Sequence, residues 1–236
     1  MDKIVVVTGA GRGLGYCITK KHLLLGDVVY GLEFQITGEL KELQHENPRL
    51  HIAQCDLGDD ASVKNAVREL LAPEKRVDIV YSVAGIFAYH DDKGLAATDS
   101  ETCIKYYNVN TLGTLRLGRE IWPLIGKGTL VVIVSSEAGS IGATRRRAEY
   151  AYCMSKAAVN MLGKLLSNEL WEKEARVLLF HPGWLRTQMG GDRAKRSSAS
   201  IEPGESADNI VNIAVDIDKW PRDQLYMTHQ GELLSW

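Results

Sequence analysis

Three side chains in the second half of the chain carry what is needed to move a proton. Tyr152 and Lys156 stand four positions apart in Tyr152-Cys153-Met154-Ser155-Lys156, and Ser136 follows an apolar run upstream of them. On a helix that spacing puts phenol and ammonium on one face, a turn apart. An ammonium beside a phenol favours the phenolate, so the tyrosine pKa is expected to fall towards working pH. A group tuned in this way can give a proton to a carbonyl oxygen or take one from an alcohol. Tyrosine and lysine also meet at this spacing as ordinary surface neighbours. The chemical reading therefore needs a redox partner nearby and elements that aim the groups at it.

The elements come in a regular order. Thr129 to Val134 is an unbroken apolar run, the pattern of a strand buried on both faces of a parallel sheet. It delivers Ser135-Ser136 to a sheet edge. Tyr152 and Lys156 open a helix that continues through Val159, Met161, Leu162, Leu165, Leu166 and Leu170. At the front of the chain Ile4-Val5-Val6-Val7 is a first strand, and Leu14, Cys17, Ile18, Leu24 and Leu25 then recur at helical spacing until Gly26. Between them lies Thr8-Gly9-Ala10-Gly11-Arg12-Gly13-Leu14-Gly15. Glycines between a strand and a helix permit a tight turn and let backbone N–H groups approach a pyrophosphate. The pattern GxGxxG does not fit from Gly9, because its last glycine would fall at Leu14. A Gly-rich turn without a ligand is the plain alternative.

Val28 to Leu32 is the second strand, with Glu33 at its end, eighteen residues after Gly15. That is near the distance at which an acidic residue meets an adenosine ribose. A carboxylate there accepts from both ribose hydroxyls and repels a 2′-phosphate, which favours NAD over NADP. Arg12 points the other way, since a guanidinium pairs with phosphate. The helix Glu39 to Asn47 is stopped by Pro48, and the third strand, Leu50 to Gln54, leads to Asp56. Asp56 is placed either for an adenine amino group or to cap the helix near Ala61 to Leu71, for which Asp59 and Asp60 are better placed. Val77 to Val83 is a fourth strand ending in Ala84-Gly85. Thr98 to Leu124 reads as one long helix, in which Asn108-Val109-Asn110 marks a local break or an exposed face. Asn209 to Ile217, capped by Ser206, is expected as the last helix. Leu225 to Thr228 is expected as a short seventh strand, and Gly231 to Trp236 as a tail.

Composition narrows the class. A chain of 236 residues suits one α/β domain, residues 1–236, and its net charge of −2 gives no reason to invoke nucleic acid or an anionic membrane. Cys17, Cys55, Cys103 and Cys153 are scattered, which reads as reduced thiols in a cytoplasmic protein with no metal site. No run is long enough to span a membrane, and none near Met1 reads as a signal peptide.

Taken together, these motifs resemble the short-chain dehydrogenase/reductase family in its small, carbonyl-reductase-like single-domain form, over nearly the whole length. Thr8-Gly-x-x-x-Gly-x-Gly15 is similar to its cofactor loop and Tyr152-x-x-x-Lys156 to its catalytic pair. Ser136 fits its catalytic serine, and Asn110 in Asn-Val-Asn-Thr-Leu-Gly its catalytic asparagine. Pro182-Gly183, after a sixth strand from Arg176 to His181, fits the turn beside the nicotinamide. The resemblance implies a doubly wound Rossmann fold. Its mostly parallel seven-stranded sheet would run 3-2-1-4-5-6-7, with helices on both faces and a substrate lid near 184–205. It implies an oxidoreductase that interconverts a carbonyl and a secondary alcohol with NAD, NADP being the alternative. Tyr152 would be the general acid/base, Lys156 the residue that lowers its pKa and binds the nicotinamide ribose, Ser136 the group orienting the substrate oxygen, and Asn110 the holder of a relay water. Gly9, Arg12, Gly13, Leu14, Gly15, Glu33, Asp56, Leu57, Ala84, Gly85, Tyr152, Lys156, Pro182, Gly183, Leu185 and Thr187 would line the cofactor, with Thr187 at the carboxamide. The implied partners are a small-molecule carbonyl or alcohol and a second copy of the chain, as homodimer or homotetramer.

Two departures stand out. Ser82-Val83-Ala84-Gly85 replaces the family's Asn-Asn-Ala-Gly, and the stretch from Ser136 to Tyr152 is longer than usual around Thr144-Arg145-Arg146-Arg147. Those arginines read as a solvated loop, with attraction of an anionic substrate to the active-site mouth as the alternative. The competing expectation is a dinucleotide-binding regulatory or signalling protein on the same fold.

Overall fold

Val5, Val6 and Val7 have no exposed surface. A strand with three consecutive fully buried residues must be covered on both faces, and β1 (Ile4–Thr8) accordingly sits inside the sheet, paired on either side. In the computed structural model, which describes residues 2–88 and 94–236, the remaining strands are β2 (Val28–Glu33), β3 (Leu50–Gln54), β4 (Ile79–Ser82), β5 (Leu130–Val134), β6 (Arg176–His181) and β7 (Tyr226–Thr228). They form one seven-stranded sheet in the expected order β3-β2-β1-β4-β5-β6-β7, with every pairing parallel. The order reverses between β1 and β4, so the crevice of the doubly wound fold opens there at the carboxyl ends of the strands.

Alternate residues along each strand feed two separate cores. Val6, Val80, Val131 and Val177 point to one face, where helices α3 (Asp60–Leu71), α5 (Gly113–Ile121) and α6 (Tyr150–Leu170) cover them. Val5, Val7, Tyr81 and Val132 point to the other, beneath α1 (Gly13–Leu24), α2 (Gly38–Glu46) and α8 (Pro203–Val215). Among the described residues no helix is long and apolar enough to cross a membrane.

Several expected elements are corrected. The stretch from Thr98 to Leu124 is not one α-helix. It is α4 (Ser100–Tyr106), a π-helical turn over Tyr107–Leu112, then α5. The cause is Arg116, buried at 9 % exposure, whose guanidinium donates to the carbonyls of Leu57 and Asn108 and to Asn108 Oδ1, at 2.8, 3.0 and 2.7 Å. In the widened turn Asn108 O accepts from Gly113 N as well as from Arg116. The last large helix starts at Pro203, the position where a missing N–H costs nothing, and ends at Val215. Ser206 lies inside it and donates to Pro182 O at 2.7 Å instead of capping it. Asp59, whose side chain accepts from Ser62 N, caps α3. Asp56 turns back on Gly58 N at 2.7 Å.

The segment after β7 folds back along it. Thr228 N donates to Glu232 O and Leu234 N to Tyr226 O, and Met227 pairs antiparallel with Leu233. The tail thus covers the outer edge of the sheet.

Candidate active site

The glycine loop is shaped for something that needs backbone at close range. Gly9 and Gly13 adopt φ of 70° and 53°, the left-handed region that costs a side chain most. A Cβ on Gly15 would fall 2.1 Å from Gly9 O, so only glycine lets the turn close. Arg12 caps α1 with no side-chain acceptor, and the first turn holds no acid. That end of α1 therefore offers N–H groups and a positive dipole to an anion. These features fit the pyrophosphate of a dinucleotide. Glu33 is buried beside them, its Oε2 accepting from Gly11 N at 2.6 Å and its Oε1 from Phe34 N at 3.0 Å. Arg12 reaches across to Gln188 Oε1 at 2.8 Å. Leu14 and Leu57 are core side chains, so only their backbone is free for a ligand.

At the same edge, Ser136 lies two residues past the end of β5, and α6 begins two residues before Tyr152. The phenol is not the lowered group that its spacing predicts. Burial pushes its pKa up to about 12, opposed by the Ser136 hydroxyl, while the Glu137 charge adds to the rise and Arg146 subtracts from it. Lys156 Nζ lies 5.8 Å from the tyrosine ring centroid and donates to Val134 O at 2.8 Å. Burial brings its pKa down to about 8. Desolvation is the leading cause of both shifts.

Asn110 is buried in the π turn. Its Oδ1 accepts from Ile86 N at 2.7 Å, and its Nδ2 donates to Ile86 O and Ser155 Oγ at 3.1 and 3.0 Å. It clips the segment after β4 to the Tyr-Lys helix, next to Gly85, where a Cβ would lie 3.1 Å from Asn110 Oδ1. The lost Asn-Asn amides are replaced by hydroxyls. Ser82 bonds Thr114 at 2.9 Å, and Thr8 Oγ1 accepts from the Val83 and Ala84 N–H groups.

The segment after β6 runs back over the glycine loop. Gly183, at φ 84°, turns the chain where a Cβ would meet Ile201 at 3.0 Å, and Leu185 pairs with Ile201. The Thr187 methyl lies 3.1 Å from where a Cβ on Gly13 would stand. A short helix α7 (Gly191–Arg196) follows. The fold thus gathers Asn110, Ser136, Tyr152 and Lys156 with the glycine loop and the Pro182–Thr187 turn. Asp56 is turned aside onto its own backbone.

Three residues beside the site escape the sequence reading. Glu137 accepts from Ser136 Oγ at 3.0 Å and from Arg146 at 2.6 Å. Arg146 also contacts the Glu149 carboxylate. Arg145, Arg146 and Arg147 are all exposed, but Arg146 is paired with Glu137 and Glu149. Tyr226, ninety residues from Ser136, donates to the Ser136 carbonyl at 2.6 Å. An acid next to a candidate serine is a signal that could have been read. Nothing local marks Tyr226.

The family model described as short chain dehydrogenase matches residues 3–198. An uncharacterized oxidoreductase of Schizosaccharomyces pombe is 29% identical over 252 residues, covering 100% of this chain and 98% of the relative. The C-signal protein of Myxococcus xanthus is 35% identical over 120 residues, 50% of this chain and 71% of that protein. Among solved structures, the carbonyl reductase Sniffer of Drosophila melanogaster superposes with a TM-score of 0.87 at 26% identity, over 100% of both chains.

Proposed function

The chain belongs to the short-chain dehydrogenase family, and from that premise we propose that it interconverts a carbonyl and a secondary alcohol, with Tyr152 as the proton donor and acceptor. The observation that carries this reading is buried Lys156, its Nζ 5.8 Å from the Tyr152 ring centroid, in a fold that also presents buried Ser136 past the end of β5 and an uncapped glycine-loop helix. When bound, a nicotinamide supplies or accepts the hydride. In reduction the Tyr152 O–H protonates the carbonyl oxygen as its carbon becomes tetrahedral. A pKa near 12 suits a donor that is fully protonated at neutral pH. Ser136 steadies the charge growing on that oxygen. Lys156, at about 8, exchanges protons with water near working pH and can return one to the tyrosine side of the site. The glycine loop with Glu33, Ala84, Gly85 and the Pro182–Thr187 turn would hold the dinucleotide. Replacing Tyr152 by Phe is expected to cut turnover roughly a thousandfold while cofactor still binds. Turnover near wild type would remove the assignment.

The exposed side chains of Leu115, Met161 and Leu165 on α5 and α6, beside a groove of about 340 Å³, support a homo-oligomer contact on that face. The free cysteines accord with a cytoplasmic site of action. A second reading, a signalling protein, draws on the name of the Myxococcus relative, C-signal. Its mark would be a biological effect that survives Tyr152→Phe.

A further inference from the structure

The β5–β6 register ends at Val134, and the loop that follows carries Ser136. Two buried side chains from distant parts of the chain grip that loop. Asn160 stands four positions after Lys156, so Tyr152, Lys156 and Asn160 form one row along α6. Its side chain bridges the two ends of the loop. Ser135 Oγ donates to Asn160 Oδ1 at 2.5 Å, and Asn160 Nδ2 donates to Gly139 O at 3.1 Å. A carbonyl cannot donate, so the amide nitrogen must face Gly139 and the Ser135 hydroxyl must supply the proton of the other bond. From the opposite side Tyr226, on β7, donates to Ser136 O at 2.6 Å. That carbonyl also accepts from Gly139 N at 2.9 Å, which closes the short turn over Glu137–Gly139. Gly139 lies directly on α6, where a Cβ would fall 2.7 Å from the backbone C and O of Lys156. Ser135, Ser136, Asn160 and Tyr226 are all buried, so water does not compete for these bonds.

We propose that Asn160 and Tyr226 are positioning residues that clamp the Ser135–Gly139 loop and so place the Ser136 hydroxyl for the substrate oxygen. The proposal rests on the reading of Ser136 as the group that orients and steadies that oxygen. Both residues act through the loop: beyond the last strand pairing, the Ser136 and Gly139 carbonyls find these side chains in place of a neighbouring strand. A hydroxyl that must meet a growing charge loses more in rate than in binding when it is misplaced. A role in stability alone would not depend on which side chain stands at position 136. That difference separates the two.

The experiment is a double-mutant cycle, with NADH as reductant and para-nitrobenzaldehyde as probe. Tyr226→Phe, which keeps the ring and removes one hydroxyl, and Asn160→Leu are each made in wild type and in Ser136→Ala. In the wild-type background kcat is expected to fall roughly tenfold, with NADH affinity unchanged in a fluorescence titration. In the Ser136→Ala background the same substitutions should cost under about twofold, because the hydroxyl they place is gone. An equal loss in both backgrounds, or no loss in either, overturns the proposal. Amide hydrogen exchange of the cofactor-free proteins supplies a readout that needs no substrate. Tyr226→Phe should speed exchange at Gly139 and Ser140 roughly tenfold more than at Val5 to Val7, deep in the sheet. Exchange that does not change at Gly139 and Ser140, or that rises equally at both places, also overturns the clamp. Wild-type turnover in Ser136→Ala would overturn the functional reading of that serine instead, and the exchange measurement would still decide whether Asn160 and Tyr226 hold the loop.

Discussion

Glu33 and Arg12 set the cofactor question at the level of single side chains. The carboxylate accepts from the Gly11 N–H of the loop it faces and from the N–H of its neighbour Phe34, and its charge at the end of β2 opposes a 2′-phosphate. The guanidinium is tied to Gln188 and would have to leave that bond to meet a phosphate. We therefore expect NADH to bind more tightly than NADPH. Glu33→Ala should lose roughly tenfold in NADH affinity and gain in NADPH affinity. Titration by nicotinamide fluorescence checks both. Tighter NADPH binding by the wild type would show that Arg12 dominates. Lys156 carries a second expectation. Its pKa, about 8 folded against 10.5 when solvated, means the unfolded chain binds more protons between those values. Its burial thus costs stability below about pH 8, and the cost fades as pH rises to 10.5. Lys156→Met should be more stable than wild type at neutral pH by on the order of 3 kcal/mol, an advantage that shrinks across that window in urea titrations.

Elements decide how far these side chains can be trusted to meet. The strands and their order are legible because buried parallel strands need unbroken apolar runs, as in Ile4–Val7 and Leu130–Val134. The glycine loop, Ser136 and the Tyr-Lys pair are legible because their spacing is local. The π turn is not, since it depends on Arg116 reaching back fifty-nine residues to Leu57. The tyrosine's high pKa is not legible either, because it comes from burial that only the packed fold creates. Arg146 looked like one of three solvated arginines until the fold brought Glu137 beside it. Asn110 tests the π turn directly. With three hydrogen bonds around its buried amide, Asn110→Ala should lower unfolding free energy by roughly 2–4 kcal/mol. The readout is a lower urea midpoint at unchanged slope, together with loss of turnover.

Across the whole molecule, the apolar stripe on α5 and α6 and the covered sheet edge pull in different directions. The stripe invites a second copy of the chain. Leu165→Glu is expected to shift sedimentation to the monomer, whereas a monomeric wild type would remove the proposed contact. The edge beyond β7 invites nothing, because the segment from Glu232 to Leu234 already occupies it. Just past it, Ser235 O accepts from Ser140 Oγ and Trp236 O from Gly142 N, both on the loop that leaves Ser136. The Trp236 ring stacks on Tyr226 at 5.4 Å. The same few residues therefore guard against fibre-like strand addition and brace the reaction centre from behind. A protease that nicked this segment should yield a protein that fails twice, losing turnover and precipitating on storage.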